Sequence, residues 1–104
     1  MMMSENLYDR IVDALRTVHD PEIPVNIVEL GLVYEIKIED GGKVTIVMTL
    51  TAPACPAAGD IVFEVQSKVE DLEGVSDVHV QLTFDPPWSK DMMTEEAKLE
   101  LGFL

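Results

Sequence analysis

The chain has 104 residues, of which 20 are Asp or Glu and only 7 are Lys or Arg, so its formal net charge is −13. This charge repels a phosphate backbone and an anionic membrane surface, and we therefore expect neither nucleic acid nor a membrane as a partner. An apolar share of 47% is enough for one packed core, which predicts a single domain over residues 1–104.

The first predicted element is an amphipathic helix over residues 4–18, in which apolar side chains recur at helical spacing. Ser4 is the expected N-cap, because its hydroxyl can accept a hydrogen bond from a free amide of the first turn. His19 then ends the helix, where a cation suits the negative end of the helix dipole.

A proline-rich segment follows this helix. In the stretch Asp20-Pro-Glu-Ile-Pro24, each proline fixes its own φ angle and disfavours helix at the preceding residue, which predicts an extended loop. Asn26 is placed to cap one short helical turn over residues 27–30. Gly31 is placed to end that turn in the left-handed conformation.

A β-hairpin comes next. Residues 32–39 and 44–50 alternate between apolar and polar, and the Asp40-Gly41-Gly42 segment between them is typical of a tight turn. Thr49 and Thr51 fall on the polar face of the second strand. The alternation places these side chains on the buried face: Leu32, Tyr34, Ile36, Ile38, Val44, Ile46, Met48 and Leu50.

The remaining chain predicts a helix, a strand and a final helix. The second amphipathic helix starts after Pro56 and stops at Gly74, because glycine favours a helix C-cap. The third strand spans residues 75–84 and is ended by two prolines. Thr94 caps a last helix that runs to Leu101. The inward side chains of the third strand are Val78, Val80, Leu82 and Phe84.

The element order is therefore α-β-β-α-β-α, and the clean alternation leaves helices to cover one face of the sheet. We expect an α/β two-layer sandwich with a three-stranded mixed sheet, in which a right-handed crossover makes the third strand parallel to the second. This topology gathers three loops at one sheet edge: residues 20–31, 49–56 and 85–88. Ligands of open α/β sheets bind at such an edge.

Cys55 is the only cysteine, and it stands immediately before Pro56 at the predicted N-cap of the second helix. Free amides and the helix dipole would stabilise a thiolate there, whereas Asp60 would destabilise it. An inert buried thiol is the alternative. A lone cysteine forms no internal disulfide, and the first residues lack the apolar stretch of a secretion signal, so we expect a cytoplasmic protein.

Several other residues border the predicted edge. Asp20 and Glu22 are carboxylates in a stiff loop, and Thr51 lies near the end of the second strand, within reach of the Cys55 loop. Structural roles are open for these residues, because Asp20 can bond turn amides and threonine is common in strands. Trp88 either covers the edge of the core or roofs the site.

Three segments of the chain resemble the family of SufT and PaaD-like proteins: Asp20-Pro-Glu-Ile-Pro-Val-Asn-Ile-Val-Glu-Leu-Gly-Leu-Val-Tyr34, Met48-Thr-Leu-Thr-Ala-Pro-Ala-Cys-Pro56 and Asp85-Pro-Pro-Trp88. The ending Glu95-Glu-Ala-Lys-Leu-Glu-Leu-Gly102 is similar to the family's C-terminus as well. The resemblance implies the fold of the NifU C-terminal domain and a role in maturing or delivering iron-sulfur clusters to recipient proteins. It also implies these site residues: Asp20, Glu22, Thr51 and Cys55.

One cysteine stands where the NifU-type domain carries a Cys-x-x-Cys pair, and a cluster normally takes four protein ligands. We therefore expect Cys55 to be a transient metal ligand or a docking residue. The other ligands would come from a second copy in a homodimer, a small thiol, the nearby carboxylates, or an assembly or recipient protein. This describes an assembly or carrier factor rather than an enzyme. Two alternatives stay open: a metal-free adaptor of the PaaD-like kind, and a small thiol enzyme that uses Cys55 and His19.

Overall fold

The computed structural model describes residues 6–20, 23–51 and 58–102. The first helix, α1, spans Leu7–Leu15. Its N-cap is Asn6 rather than the predicted Ser4, which lies outside the described residues, and the Asn6 Oδ1 accepts a 2.8 Å hydrogen bond from the Asp9 amide. The helix ends earlier than predicted, so the prediction that His19 terminates it is wrong.

The segment after α1 forms a two-stranded antiparallel ribbon instead of a plain loop. Strand β1, His19–Asp20, pairs with strand β2, Ile23–Asn26. The base of the ribbon is held in the core, because Val18 and Ile27 are fully buried and the Ile27 amide donates to the Val18 carbonyl at 2.9 Å. Prolines predict the extended backbone here, but they carry no information about its pairing partner.

A short helix, α2, spans Ile27–Leu30, and both of its predicted ends are confirmed. The Asn26 side-chain oxygen accepts hydrogen bonds from the amides of Val28 and Glu29, each at 3.0 Å. Gly31 ends the helix with a φ of 80°, in the left-handed region. The cap satisfies amides that a helix of this length could not pair internally.

The main sheet has three strands in the order β3-β4-β5, where β3 is Val33–Glu39, β4 is Lys43–Met48 and β5 is Asp77–Leu82. The β3 and β4 strands form the predicted antiparallel hairpin, and β5 runs parallel to β4. Helix α3, Ala58–Glu70, makes the crossover between them and ends before Gly74. The predicted mixed three-stranded sheet is thus confirmed.

A β-bulge near the start of β3 changes which side chains reach the core. Val33 lies opposite Met48, and Glu35 lies opposite Val47, so Tyr34 is the extra residue of the bulge. The prediction that Tyr34 shares the buried face is therefore wrong, and Val33 packs against the core in its place. An alternation pattern cannot reveal this insertion, because a bulge resets the period of two.

The described residues form one core between the sheet and helices α1 and α3. The alternation in β4 is confirmed by its buried side chains. At the end of β5 the prediction is wrong, because Leu82 and Phe84 are each 40% exposed at the end of an edge strand. The core side chains from β4, α1 and α3 are Val44, Ile46, Met48, Ile11, Leu15, Ile61, Val65 and Val69.

The C-terminal part contains a 3-10 turn at Lys90–Met92 and helix α4 at Glu95–Glu100. Thr94 caps α4 as predicted, since its hydroxyl accepts a 3.1 Å hydrogen bond from the Ala97 amide. The observed order therefore contains the predicted α-β-β-α-β-α series, with the ribbon and α2 inserted after α1. Within the described ranges, no helix has the length and apolar character needed to cross a membrane.

Candidate functional site

The start of β3 and the ends of β4 and β5 lie side by side at one edge of the main sheet, beyond which the connecting loops begin. Met48 pairs with Leu82 in the parallel register, and the Met48 carbonyl accepts a 2.9 Å hydrogen bond from the Thr83 amide. On the other side, the Thr49 amide donates to the Leu32 carbonyl at 2.8 Å. The chain segments that enter β3 and leave β4 and β5 therefore begin side by side, as the predicted crossover requires.

Two aromatic side chains fasten the segment after β5 to this edge. The Trp88 indole nitrogen donates to the Leu30 carbonyl at 2.7 Å, and the half-buried ring packs against the core. The Tyr34 hydroxyl donates to the Pro86 carbonyl at 2.8 Å and also contacts the Met92 sulfur at 3.4 Å. Of the two roles considered for Trp88, covering the edge of the core is the one observed.

The 3-10 turn and α4 are also tied directly to α2. The Thr94 amide donates to the Glu29 carbonyl at 2.9 Å. Gly31 packs against the backbone of the turn so closely that a Cβ atom there would collide with the Met92 carbonyl. Residues 83–94 are therefore positioned by α2 and not by the sheet alone. Met93 and Met48 are buried in the core.

Thr49 is a fully buried polar side chain that sequence reasoning missed. Within the described residues, its hydroxyl donates only to the adjacent Leu50 carbonyl, across 3.5 Å, which is at the outer limit of a hydrogen bond. Met48, Thr49 and Leu50 are buried in succession, so the period of two ends where β4 ends. The sequence feature that could have indicated the burial of Thr49 is the apolar residue directly after it, Leu50, at the end of the strand.

The four predicted site residues differ in how far the structure describes them. Thr51 is half-buried and follows β4 at the edge. The Asp20 backbone lies in β1, opposite Ile23 of the ribbon. Glu22 and Cys55 lie outside the described residues. That these four side chains surround one site therefore stays a prediction. The Cys55 loop does begin at this sheet edge, because its first residue, Thr49, is hydrogen-bonded to Leu32 there.

A cluster of the kind that the family resemblance implies would need several ligands. Among the side chains that the structure describes, no three from His, Cys, Asp or Glu lie close enough to share a metal ion. A set of three such ligands from one chain must therefore include a side chain outside that group, such as that of Asp20, Glu22 or Cys55. One thiolate fits part of a ligand set for a cluster, which normally takes four.

The sequence matches the family model described as iron-sulfur cluster assembly protein over residues 8–82. The chain belongs to this family. A relative from Porphyromonas gingivalis named Fe-S protein maturation auxiliary factor is 60% identical over 94 residues, which make up 90% of each chain. The Bacillus subtilis protein named Fe-S protein maturation auxiliary factor YitW is 45% identical over 100 residues, covering 96% of this chain and 98% of the relative.

The fold of the family is also known from solved structures. A crystal structure of the domain of unknown function DUF59 from Bacillus anthracis superimposes with a TM-score of 0.88 at 36% identity. The match covers 94% of this chain and 93% of that chain. The sequence resemblance to SufT-like proteins and the predicted α/β fold are both confirmed by these findings.

Proposed function

We propose that this protein is a maturation factor for iron-sulfur proteins, without turnover of its own, and that it acts by binding a cluster transiently through Cys55. The observation that carries the proposal is the near full-length similarity to a protein named Fe-S protein maturation auxiliary factor. The membership in the iron-sulfur cluster assembly family supports it. The cluster is cargo in this proposal, and it passes between an assembly protein and a recipient apo-protein in the cytoplasm.

The chemistry of a single thiol suits transfer better than storage. Cys55 is the only cysteine among 104 residues, so one chain supplies one thiolate of the four ligands that a cluster normally takes. Asp20 and Glu22 would offer carboxylates and Thr51 a hydroxyl from the same edge. The remaining ligands come from a small thiol or from the donor or recipient protein. A cluster held in this incomplete way can be displaced by a recipient that offers a full set.

The experiment is anaerobic reconstitution with iron and sulfide, followed by measurement of visible absorption and of bound iron and sulfide. We expect the wild type to develop a cluster spectrum and Cys55→Ser to lose most of it. A relocation control combines Cys55→Ser with Ser76→Cys. It places one thiol at an exposed position just before β5, whereas the candidate site lies at the other end of β5, where that strand ends. We expect this control to resemble Cys55→Ser, because the position of the thiol matters.

Equal absorption in wild type and Cys55→Ser would contradict the role of Cys55 in holding the cluster. If Cys55→Ser also activated a recipient iron-sulfur enzyme as well as the wild type did, the protein would be a metal-free adaptor instead. A cluster in the relocation control as intense as in the wild type would show that any exposed thiol suffices, which removes the proposed site.

A further inference from the structure

The outer edge of β3 is a candidate surface that the proposed function does not use. In the described part of the chain, β3 pairs only with β4, so the amides and carbonyls of its other edge have no strand beside them. After the bulge, the regular segment carries the exposed side chains of Glu35, Lys37 and Glu39 on one face. On the other face, Ile38 is a large apolar side chain that is 39% exposed. Unpaired edges of this kind are templates for strand pairing.

The sequence of this edge is complementary to itself. When two antiparallel copies of β3 pair so that Ile36 faces Ile36 of the second copy, Glu35 lies directly opposite Lys37 of that copy. The two-fold symmetry creates the same pair a second time. Opposite charges directly across an antiparallel pair stabilise it, and like charges destabilise it. A lysine without an opposite carboxylate would oppose pairing at this edge. Lys37 does not, because it lies opposite Glu35 of the second copy.

We infer that two copies of this chain associate through antiparallel pairing of β3 about Ile36, which joins their sheets into one of six strands. The other edge of the sheet lacks the same property. Strand β5 reads Asp77-Val-His-Val-Gln-Leu82, which contains no lysine or arginine to pair with its aspartate. Charge complementarity therefore selects β3 as the edge that pairs.

A groove with a mixed lining borders this interface. The groove lies between α1 and β3, has a volume of about 420 Å³, and is lined by the apolar side chains of Val12, Val33 and Ile36 and by the charged side chains of Asp9, Asp13 and Arg16. In the inferred register, Ile38 of the second copy lies beside the bulge at Tyr34, next to Val33 and the mouth of the groove. Its exposed apolar surface would then leave water, which favours association. The short pairing predicts a modest affinity, because small interfaces form weak complexes.

The inferred pairing goes beyond the proposed function and does not depend on it. The Cys55 loop starts at the end of the sheet where Val33 lies, and Val33 is three residues from the two-fold axis at Ile36. Strands rise by about 3.3 Å per residue, so the two loops would start about 20 Å apart along the strand direction. The pairing therefore uses the lateral edge of β3 and not the end of the sheet from which the Cys55 loop starts.

The test is sedimentation equilibrium of the full chain from about 1 μM to 1 mM, the range over which small interfaces dissociate. We expect the wild type to dimerise, and Glu35→Lys or Lys37→Glu to weaken the dimer by about tenfold or more, because each change turns two attractive pairs into two repulsive ones. An equimolar mixture of the two variants should recover wild-type affinity within about threefold, since the two lysines on the edge of one variant then face the two glutamates on the edge of the other.

The matched control pair is Glu100→Lys and Lys98→Glu on α4, which changes the net charge by the same amounts away from the edge. Each control variant should dimerise like the wild type, and mixing the two should change nothing. A wild type that stays monomeric throughout the concentration range overturns the inference. So do single edge variants that dimerise like the wild type, or a mixture of them that associates no better than either alone. Recovery on mixing also demonstrates that the edge variants are folded.

Discussion

Replacing Gly31 with alanine should destabilise the protein by about 1–5 kcal/mol. At a φ of 80°, an alanine costs roughly 1–2 kcal/mol relative to its ordinary conformations. Its methyl group also collides with the Met92 carbonyl, and displacing that backbone should cost roughly 1–3 kcal/mol, as overpacking usually does. The lower entropy of the unfolded alanine chain offsets roughly 0.4–1 kcal/mol of this sum.

Gly41→Ala is the matched control, because Gly41 has a φ of 85° but no heavy atom of the described residues within 4 Å of the new Cβ. It should therefore cost about 1 kcal/mol, from backbone conformation alone. Urea unfolding followed by far-UV circular dichroism measures both variants, and the midpoint should fall further for Gly31→Ala while the slope m stays constant. A Gly31→Ala midpoint equal to or above that of Gly41→Ala would refute the close packing between Gly31 and the 3-10 turn.

Three further substitutions test individual contacts by the same urea titration. Trp88→Phe removes the donor to the Leu30 carbonyl and should lower the free energy of unfolding by about 1–2 kcal/mol, so an unchanged midpoint would contradict that hydrogen bond. Asn26→Ala removes the N-cap of α2 and should cost about 1 kcal/mol, whereas Asn26→Asp keeps the acceptor and should cost less. Thr49→Val should be nearly neutral because, among the described residues, the buried hydroxyl has only a 3.5 Å contact. Thr49→Ser loses a buried methyl group and should cost about 1 kcal/mol. The reverse order would indicate that the Thr49 hydroxyl has a stronger partner.

The parts of the fold that were predictable are those encoded by local chemistry. The Asp40-Gly41-Gly42 turn between two alternating segments determines the β3-β4 hairpin, and Asn26 and Thr94 identify two helix starts. The ribbon of residues 19–26 was not predictable. Proline favours an extended backbone, but it does not determine which extended segments pair with each other. The bulge at Tyr34 was hidden for a related reason, since one inserted residue leaves the composition of the strand unchanged.

The candidate site was predictable in its location but not in its details. A parallel β4-β5 pair follows from the β-α-β order, and that alone brings the ends of the two strands to one edge. The burial of Thr49 depends on how the chain leaves β4, which no periodic pattern describes. The four predicted site residues rest on their positions at the predicted edge and on the family resemblance, and the placement of Glu22 and Cys55 stays a prediction.

The short helix α2 has a consequence for how the C-terminal segment moves. Its Glu29 and Leu30 carbonyls bind the Thr94 amide and the Trp88 indole, and Gly31 sits against the turn between them. All of these contacts are made to one turn of helix. Residues 83–94 therefore cannot move far from one contact without straining the others. Solvent exchange of the Thr94 amide and the Trp88 indole proton should then follow one common opening event, which leaves the three-stranded sheet intact.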